Sequence, residues 1–402
     1  MLTETSQMID PVLYKQLVAV RRDLHQHPEL SWKEERTAQL ICQFLDRLGI
    51  AYRKGIHGTG IIAEIPGGPA ERFVVLRADM DALPIFEETG LPFASQNRGV
   101  MHACGHDGHT SMMLGAATLL SQTDSLPMSV RMIFQPAEET GEGAKAMIAA
   151  GALEDAAVIF GGHVDRHFSV GSIAITDGAV NASSDRFVIE ITGKGGHAAR
   201  PHETVDAVVV GSLMVMALQT IVSREVNPAY PSVVTVGRFD AGTASNVIAG
   251  AAKLEGSIRS QDQSVRESLH RAIERMAKSI GQLHGAAVDV TIQLGTPPVI
   301  NPPEFTDIAR RAGAKAVGLD NIVKMEVANM GGEDFGYYLQ EVPGCYVRFG
   351  TAREGVEQFP AHSNRFDFDE QAIAVGAAYY AQVAKLAGEA IVADDNNGRP
   401  LD

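Results

Sequence analysis

The stretch Phe73-Val74-Val75-Leu76-Arg77-Ala78-Asp79-Met80-Asp81 opens with an apolar run and passes straight into charged residues. Two later segments repeat that order. Val130 to Phe134 is followed by Gln135-Pro136-Ala137-Glu138-Glu139, and Ala156 to Phe160 by Gly161-Gly162-His163. Short apolar runs alternating with helical patterns between residue 12 and about residue 180 predict an α/β fold, a mostly parallel sheet covered by helices. In open α/β sheets the site lies outside the carboxyl ends of the strands. The polar groups after the three runs should therefore gather in one crevice.

A fourth segment belongs with them. Met101-His102-Ala103-Cys104-Gly105-His106-Asp107-Gly108-His109 holds a thiol, three imidazoles and a carboxylate. Zinc and its transition-series neighbours take these donors, and Gly105 gives the backbone room for Cys104 and His106 to converge. Cys42, Cys104 and Cys345 are the only cysteines and lie far apart, which excludes a structural four-thiolate site. The adjacent Glu138 and Glu139 fit the same chemistry. On extended backbone neighbouring side chains point opposite ways, so one carboxylate could bind metal while the other faces water.

At 402 residues and 45% apolar composition the chain can bury two cores. A net charge of -15 argues against a nucleic-acid partner. The opening residues MLTETSQMID have no basic start followed by an apolar run, so no secretory signal is expected. Three unpaired cysteines suit a reducing compartment, and the cytoplasm is expected. The apolar stretch Ala207 to Val222 falls short of the roughly 20 residues a bilayer crossing needs and reads as a buried helix, with no membrane partner.

The texture changes near Ala182. Phe187 to Thr192 alternates like a half-buried strand, Thr204 to Val226 reads as a helix, and Ser232 to Arg238 and Ala252 to Arg259 read as strands. Ser264 to His284 is an amphipathic helix and Val288 to Leu294 a last strand. The order β-α-β-β-α-β predicts a ferredoxin-like α+β domain, residues 184–296, inserted into a catalytic domain of residues 1–183 and 297–402. The parent domain then ends in a strand from Cys345 to Phe349, the loop bearing His362 and a helix from Asp369 to about Gly388. The tail from Asp394 to Asp402 reads as frayed.

The motifs RRDLHQHPEL (21–30), RADMDALPI (77–85), MHACGHDGHT (101–110), FQPAEETGEGA (134–144), GGH (161–163), GKGGHAARPH (193–202), GTASNVIA (242–249), GGEDF (331–335) and AHSNRFDFDE (361–370) occur in order along nearly the whole chain. In them the chain resembles the co-catalytic metallopeptidase and aminoacylase family, in the amidohydrolase subgroup that includes hippurate hydrolases and auxin-conjugate hydrolases. The resemblance implies a zinc-peptidase-like hydrolase domain with two divalent metal ions, Mn²⁺, Zn²⁺ or Co²⁺, and a smaller lid or dimerisation domain, hence a homodimer. Cys104 would bridge the ions, with His106, Glu139, His163 and His362 as further ligands. Glu138 would be the general base. His197 and Asn246 would donate to the scissile carbonyl oxygen from the lid, and Arg259 could hold a substrate carboxylate. Asp79 and Asp81 end a strand, where a carboxylate can orient a ligand imidazole or face the base. Many relatives place a metal-binding histidine at the position of Asp79 and a carboxylate at that of Cys104, so the ligand set stays open.

The implied substrate is a small N-acyl or N-aroyl amino acid, cleaved to a carboxylate and a free amino acid. A dipeptidase or carboxypeptidase would use the same machinery. A nucleophilic Cys104 paired with His106 would need no metal, but would leave Glu138, Glu139, His163 and His362 without a shared purpose. A ligand sensor on this fold would require a missing catalytic group, and none is missing.

Overall fold

The computed structural model describes residues 8–68 and 71–396; the first seven residues and residues 397–402 of the expected frayed tail lie outside them. Helices Pro11–Gln26 (α1) and Glu35–Leu48 (α2) precede a hairpin of Ala51–Ile56 (β1) and Gly60–Ile65 (β2). Asp10 starts α1 by accepting the amides of Val12 and Leu13. Phe73–Asp79 (β3), His106–Ser121 (α3), Ser129–Gln135 (β4), Gly143–Ala149 (α4), Ala156–Ser169 (β5), Ile173–Ala174 (β6) and Gly178–Asn181 (β7) follow.

The chain then forms Asp185–Thr192 (β8), Gly196–His197 (β9), Ala207–Thr220 (α5), Ser232–Ala241 (β10), Val247–Ile248 (β11), Ala251–Ser260 (β12), Gln263–His284 (α6) and Ala287–Gln293 (β13). It returns through Val299–Asn301 (β14), Pro303–Val317 (α7), Ile322–Val323 (β15), Phe335–Glu341 (α8), Gly344–Ala352 (β16) and Gln371–Asn396 (α9). Asp394 to Asn396 thus close a helix.

Two compact units result. One takes in the described residues up to Gly178, Asn301–Glu326 and those from Tyr337 onward; the other is Ala179–Ile300 with Val327–Gly336. The first carries an eight-stranded sheet in the order β1-β2-β4-β3-β5-β16-β6-β15. The pairs β4/β3, β3/β5 and β5/β16 are parallel, and the hairpin at one edge is antiparallel. β3 and β4 are buried along nearly their whole length, which is why their sequences read as continuous apolar runs rather than alternating ones. α3 packs against α9, and small residues set the approach: a side chain at Gly115 would strike Ala377, and one at Gly376 would strike Met112.

The second unit is an antiparallel sheet ordered β10-β12-β8-β13, covered by α5 and α6. Its chain order is the expected β-α-β-β-α-β. Phe187, Ile189 and Ile191 alternate onto one face of β8 and share a core with Val210, Met214 and Leu218 of α5 and Leu269 and Ile273 of α6. Two details differ from the sequence reading. The unit begins and ends a few residues outside 184–296 and includes Val327–Gly336, which carries the GGEDF motif. Second, α5 is not buried all round: Val208, Val209, Leu213 and Met216 are exposed. With the π-helical turn that follows, Ala207–Glu225 is long and apolar enough to cross a membrane by length and composition alone, yet its inner face covers the four-stranded sheet.

Candidate metal centre

β3 ends at Asp79, and Asp81 lies just beyond. β4 ends at Gln135; Pro136 follows, and Ala137 takes the left-handed conformation, φ 55 and ψ 40, before a short 3-10 turn of Glu138–Thr140. The acidic pair therefore does not sit on extended backbone, and its side chains do not point opposite ways. One carboxylate oxygen of each lies 3.9 Å from Nε2 of His106. A left-handed residue followed by a tight turn aims both carboxylates at the same place.

Gly105 caps α3 with φ 94, and a side chain there would meet Val164 at 2.5 Å. Only glycine lets the chain swing from Cys104 into the helix that begins with His106. β5 runs on to Ser169, so His163 lies within a strand and not after one. β3 pairs with β5 only as far as Phe160, whereas β16 follows β5 further, with Arg348 opposite His163. His362 has φ 67, and its amide donates to the carbonyl of Ala103 at 2.7 Å, which ties its loop to the Cys104 segment.

These residues form two triplets with Cys104 in common. Donor atoms of Cys104, His106 and His163 lie within 4.8 Å of one another, as do those of Cys104, Glu139 and His362. Sγ of Cys104 is 3.2 Å from Nε2 of His163, and Nε2 of His362 is 3.4 Å from Glu139. The other ring nitrogens are occupied: Nδ1 of His106 faces the carbonyl and the carboxylate of Asp81 at 3.0 and 3.2 Å, and Nδ1 of His163 faces the carbonyl of Val164 at 2.7 Å. That leaves the Nε2 of each of these two histidines as the atom that could ligate a metal.

The donor set fits metal ions. Nε2 of His106 and Oε1 of Glu139 are buried, have no hydrogen-bond partner among the described residues and face each other at 3.9 Å. Such atoms are costly unless something polar lies between them. Burial and the charge of Glu139 push the Cys104 thiol well above its ordinary pKa. Burial also opposes charge on His106, but Asp79 and Asp81 hold its pKa well above the ordinary value. A site that gathers carboxylates around a thiol and a histidine is short of positive charge, and divalent cations supply it.

His197 and Asn246 lie in the second unit. His197 of β9 pairs with Val247 of β11, and the amide of Ala198 donates to the carbonyl of Asn246 at 3.2 Å, so the two residues are neighbours. Arg259 lies elsewhere in that unit and donates through Nη1 to the carbonyl of Met330 at 2.8 Å.

Residues 75–386 match Peptidase family M20/M25/M40. The chain belongs to this family. It is 44% identical over 316 residues to the N-acyl-L-amino acid amidohydrolase of Geobacillus stearothermophilus, covering 78% of this chain and 85% of that one. It is 37% identical to thermostable carboxypeptidase 1 of Saccharolobus solfataricus over 92% of this chain and 94% of that one. Its fold superposes on the YXEP protein of Bacillus subtilis, described as a dinuclear metal binding peptidase from the M20 family, with a TM-score of 0.84 and 36% identity over 95% of this chain and 99% of that one.

In this M20 chain Asp79 is fully engaged: one oxygen takes Nδ1 of His109 at 2.6 Å, the other Nη1 of Arg77 at 2.6 Å. His109 in turn accepts the amide of Val164, beside His163, at 3.0 Å. Neither is left with an idle donor atom. The sequence reading gave no role to Ser31, whose hydroxyl reaches Asp81 at 2.7 Å, or to Arg21. The Arg21 guanidinium, wholly buried, bonds Asp107 beside His106 and also Asp367 and Glu370, in the segment after His362. RRDLHQHPEL held the available signal: Arg21 and His25, four residues apart on one helix face, both bond Asp107.

Proposed function

We propose that this chain is a metal-dependent amidohydrolase that cleaves N-acyl or N-aroyl amino acids to a carboxylate and a free amino acid. The observation that carries the reading is the pair of donor triplets sharing Cys104, lined by the buried, unpartnered atoms of His106 and Glu139. Cys104, His106, Glu139, His163 and His362 would hold two divalent ions, and Mn²⁺, Zn²⁺ and Co²⁺ all suit the donors. When bound, the ions supply Lewis acidity at the amide carbonyl and lower the pKa of water.

The chain's own groups do the rest. Glu138 takes the proton of the water whose oxygen attacks the carbonyl carbon, then delivers it to the amine nitrogen as the C–N bond breaks. Asp81 orients His106 and accepts the amides of Glu138 and Glu139, both at 3.1 Å, so one carboxylate holds base and ligands in a fixed relation. His197 and Asn246 donate to the carbonyl oxygen as it gains charge. Arg259 pairs with the substrate carboxylate. The inserted domain acts as lid and joins two copies of the chain, and the exposed apolar face of α5 supports that role. The three cysteines, all free and buried, suit a reducing cytoplasm.

The carboxypeptidase relative favours a second reading, peptide hydrolysis by the same residues. One assay series tests both. Chelation should abolish activity and Mn²⁺, Zn²⁺ or Co²⁺ restore it; full activity in metal-free protein ends the metal reading. N-acetyl, N-benzoyl and indole-acetyl amino acids should then turn over with higher kcat/KM than dipeptides or longer peptides. The reverse ranking selects the peptidase.

A further inference from the structure

Five non-glycine residues among those described have positive φ, and two of them, Trp32 at 67 and Ala137 at 55, share one support. The amides of both donate to Oε1 of Glu34, each at 3.0 Å. Oε2 of Glu34 accepts the hydroxyl of Thr59 at 2.7 Å. Glu34 is wholly buried. It stands at the N-cap of α2, yet its carboxylate makes no capping bond. Glu29 does that instead, accepting the amides of Arg36 and Thr37 at 3.0 and 2.8 Å. The substitution of one carboxylate for the other at the helix start frees Glu34 to reach residue 137.

Ala137 is the hinge of the acidic turn. Left-handed backbone is unfavourable for alanine, so this conformation needs to be held. Its carbonyl is pinned by the hydroxyl of Thr140 at 3.0 Å and the amide of Gly143 at 3.2 Å, and its amide, among the described residues, by Glu34 alone. We infer that Glu34 is a positioning residue: by fixing the amide of Ala137 it sets the direction in which the following turn presents Glu138. This rests on Glu138 being the general base.

The test uses the full chain loaded with metal, with Glu34→Gln, Glu34→Ala and the double variant Glu34→Ala/Ala137→Gly beside Glu138→Gln. Glutamine keeps a carbonyl oxygen for both amides, so Glu34→Gln should retain kcat within a few-fold. Glu34→Ala should lose about 10²-fold in kcat, the scale of a misplacement near 1 Å, with KM nearly unchanged. The double variant should recover part of that loss, because glycine adopts left-handed backbone without support. A readout without turnover accompanies these: in metal-free protein, hydrogen exchange at the amide of residue 137 should be slow in wild type and Glu34→Gln and fast in Glu34→Ala. Should Glu34→Ala not fold, Glu34→Asp, which keeps the charge but shortens the reach, must show the same losses. Wild-type kcat in Glu34→Ala or Glu34→Asp overturns the inference, as does a Gln variant no better than Ala or a double variant no better than the single. An active Glu138→Gln overturns the base assignment and the inference with it; an inactive Glu138→Gln beside a fully active Glu34→Ala overturns the inference alone.

Discussion

Glu138 and Glu139 are adjacent, reach toward the same histidine nitrogen and have different duties in the proposed reaction. Glutamine at 138 should therefore leave two metal ions bound and lower kcat by roughly 10² to 10⁴-fold, the range of general acid-base catalysis. Glutamine at 139 should lower metal content first. Elemental analysis beside kinetics decides it, and metal loss confined to the 138 variant would exchange the two roles. The identities of these residues were legible because each follows a buried run of a strand. Their geometry was not: the turn depends on Ala137, whose left-handed backbone is held by a carboxylate 103 positions away in sequence. No local pattern records such a contact. Asp81 was half legible. Its place after β3 predicted a partner for an imidazole, but not the amides of residues 138 and 139.

Elements followed periodicity where one face is buried. β8 alternates and was found; β3 and β4 are buried on both sides and were found as apolar runs. The apolar run of β5 ends at Phe160 although the strand does not, because beyond it β3 no longer pairs with β5 and the sequence turns polar, with Asp165, Arg166 and His167. The start of β8 carries a stability prediction. Burial would raise the carboxyl of Asp185, but Arg266 at 2.6 and 2.7 Å, His270 at 2.8 Å and the amide of Gly295 at 2.9 Å bring it down to about 2. Against an ordinary value of 3.8, the depressed pKa corresponds to ~2 kcal/mol. Because the folded value lies below the unfolded one, this stabilisation is complete above about pH 5 and fades as pH falls through 3.8 toward 2. Urea unfolding of wild type and Asp185→Asn from pH 7 to pH 2 should show the gap between them narrowing by that amount. A gap independent of pH would mean that the charge of Asp185 contributes nothing.

At the scale of the molecule, the proposed reaction draws on both units, with His197 in one and every proposed metal ligand in the other. If the lid serves a partner copy, Glu138→Gln and His197→Ala are each inactive alone but complementary when mixed. Random reassembly makes half the dimers mixed, with one intact site in two, so about a quarter of wild-type activity should return. Refolding the mixture, with dimers confirmed by light scattering, tests this; no recovery would confine His197 to its own chain. The inserted domain was legible because its strand and helix periods differ from those of its surroundings. The return of Val327–Gly336 to it was not, since a short loop has no period.

The pairing of β5 with β16 has a consequence in time. Between the end of one strand and the start of the other lie residues 170–343, which include the whole β-α-β-β-α-β fold. A ribosome adds about 5 to 20 residues per second, so these 174 positions take roughly 10 to 35 seconds to synthesise. Throughout that interval the inserted fold can complete itself from contiguous chain, while Ile159 and Phe160 keep one edge bare of the partners that β16 later supplies. An unpaired apolar edge is a template for wrong pairing. That edge is where a chaperone would protect the nascent chain, until β16, Gly344–Ala352, has emerged to pair with it.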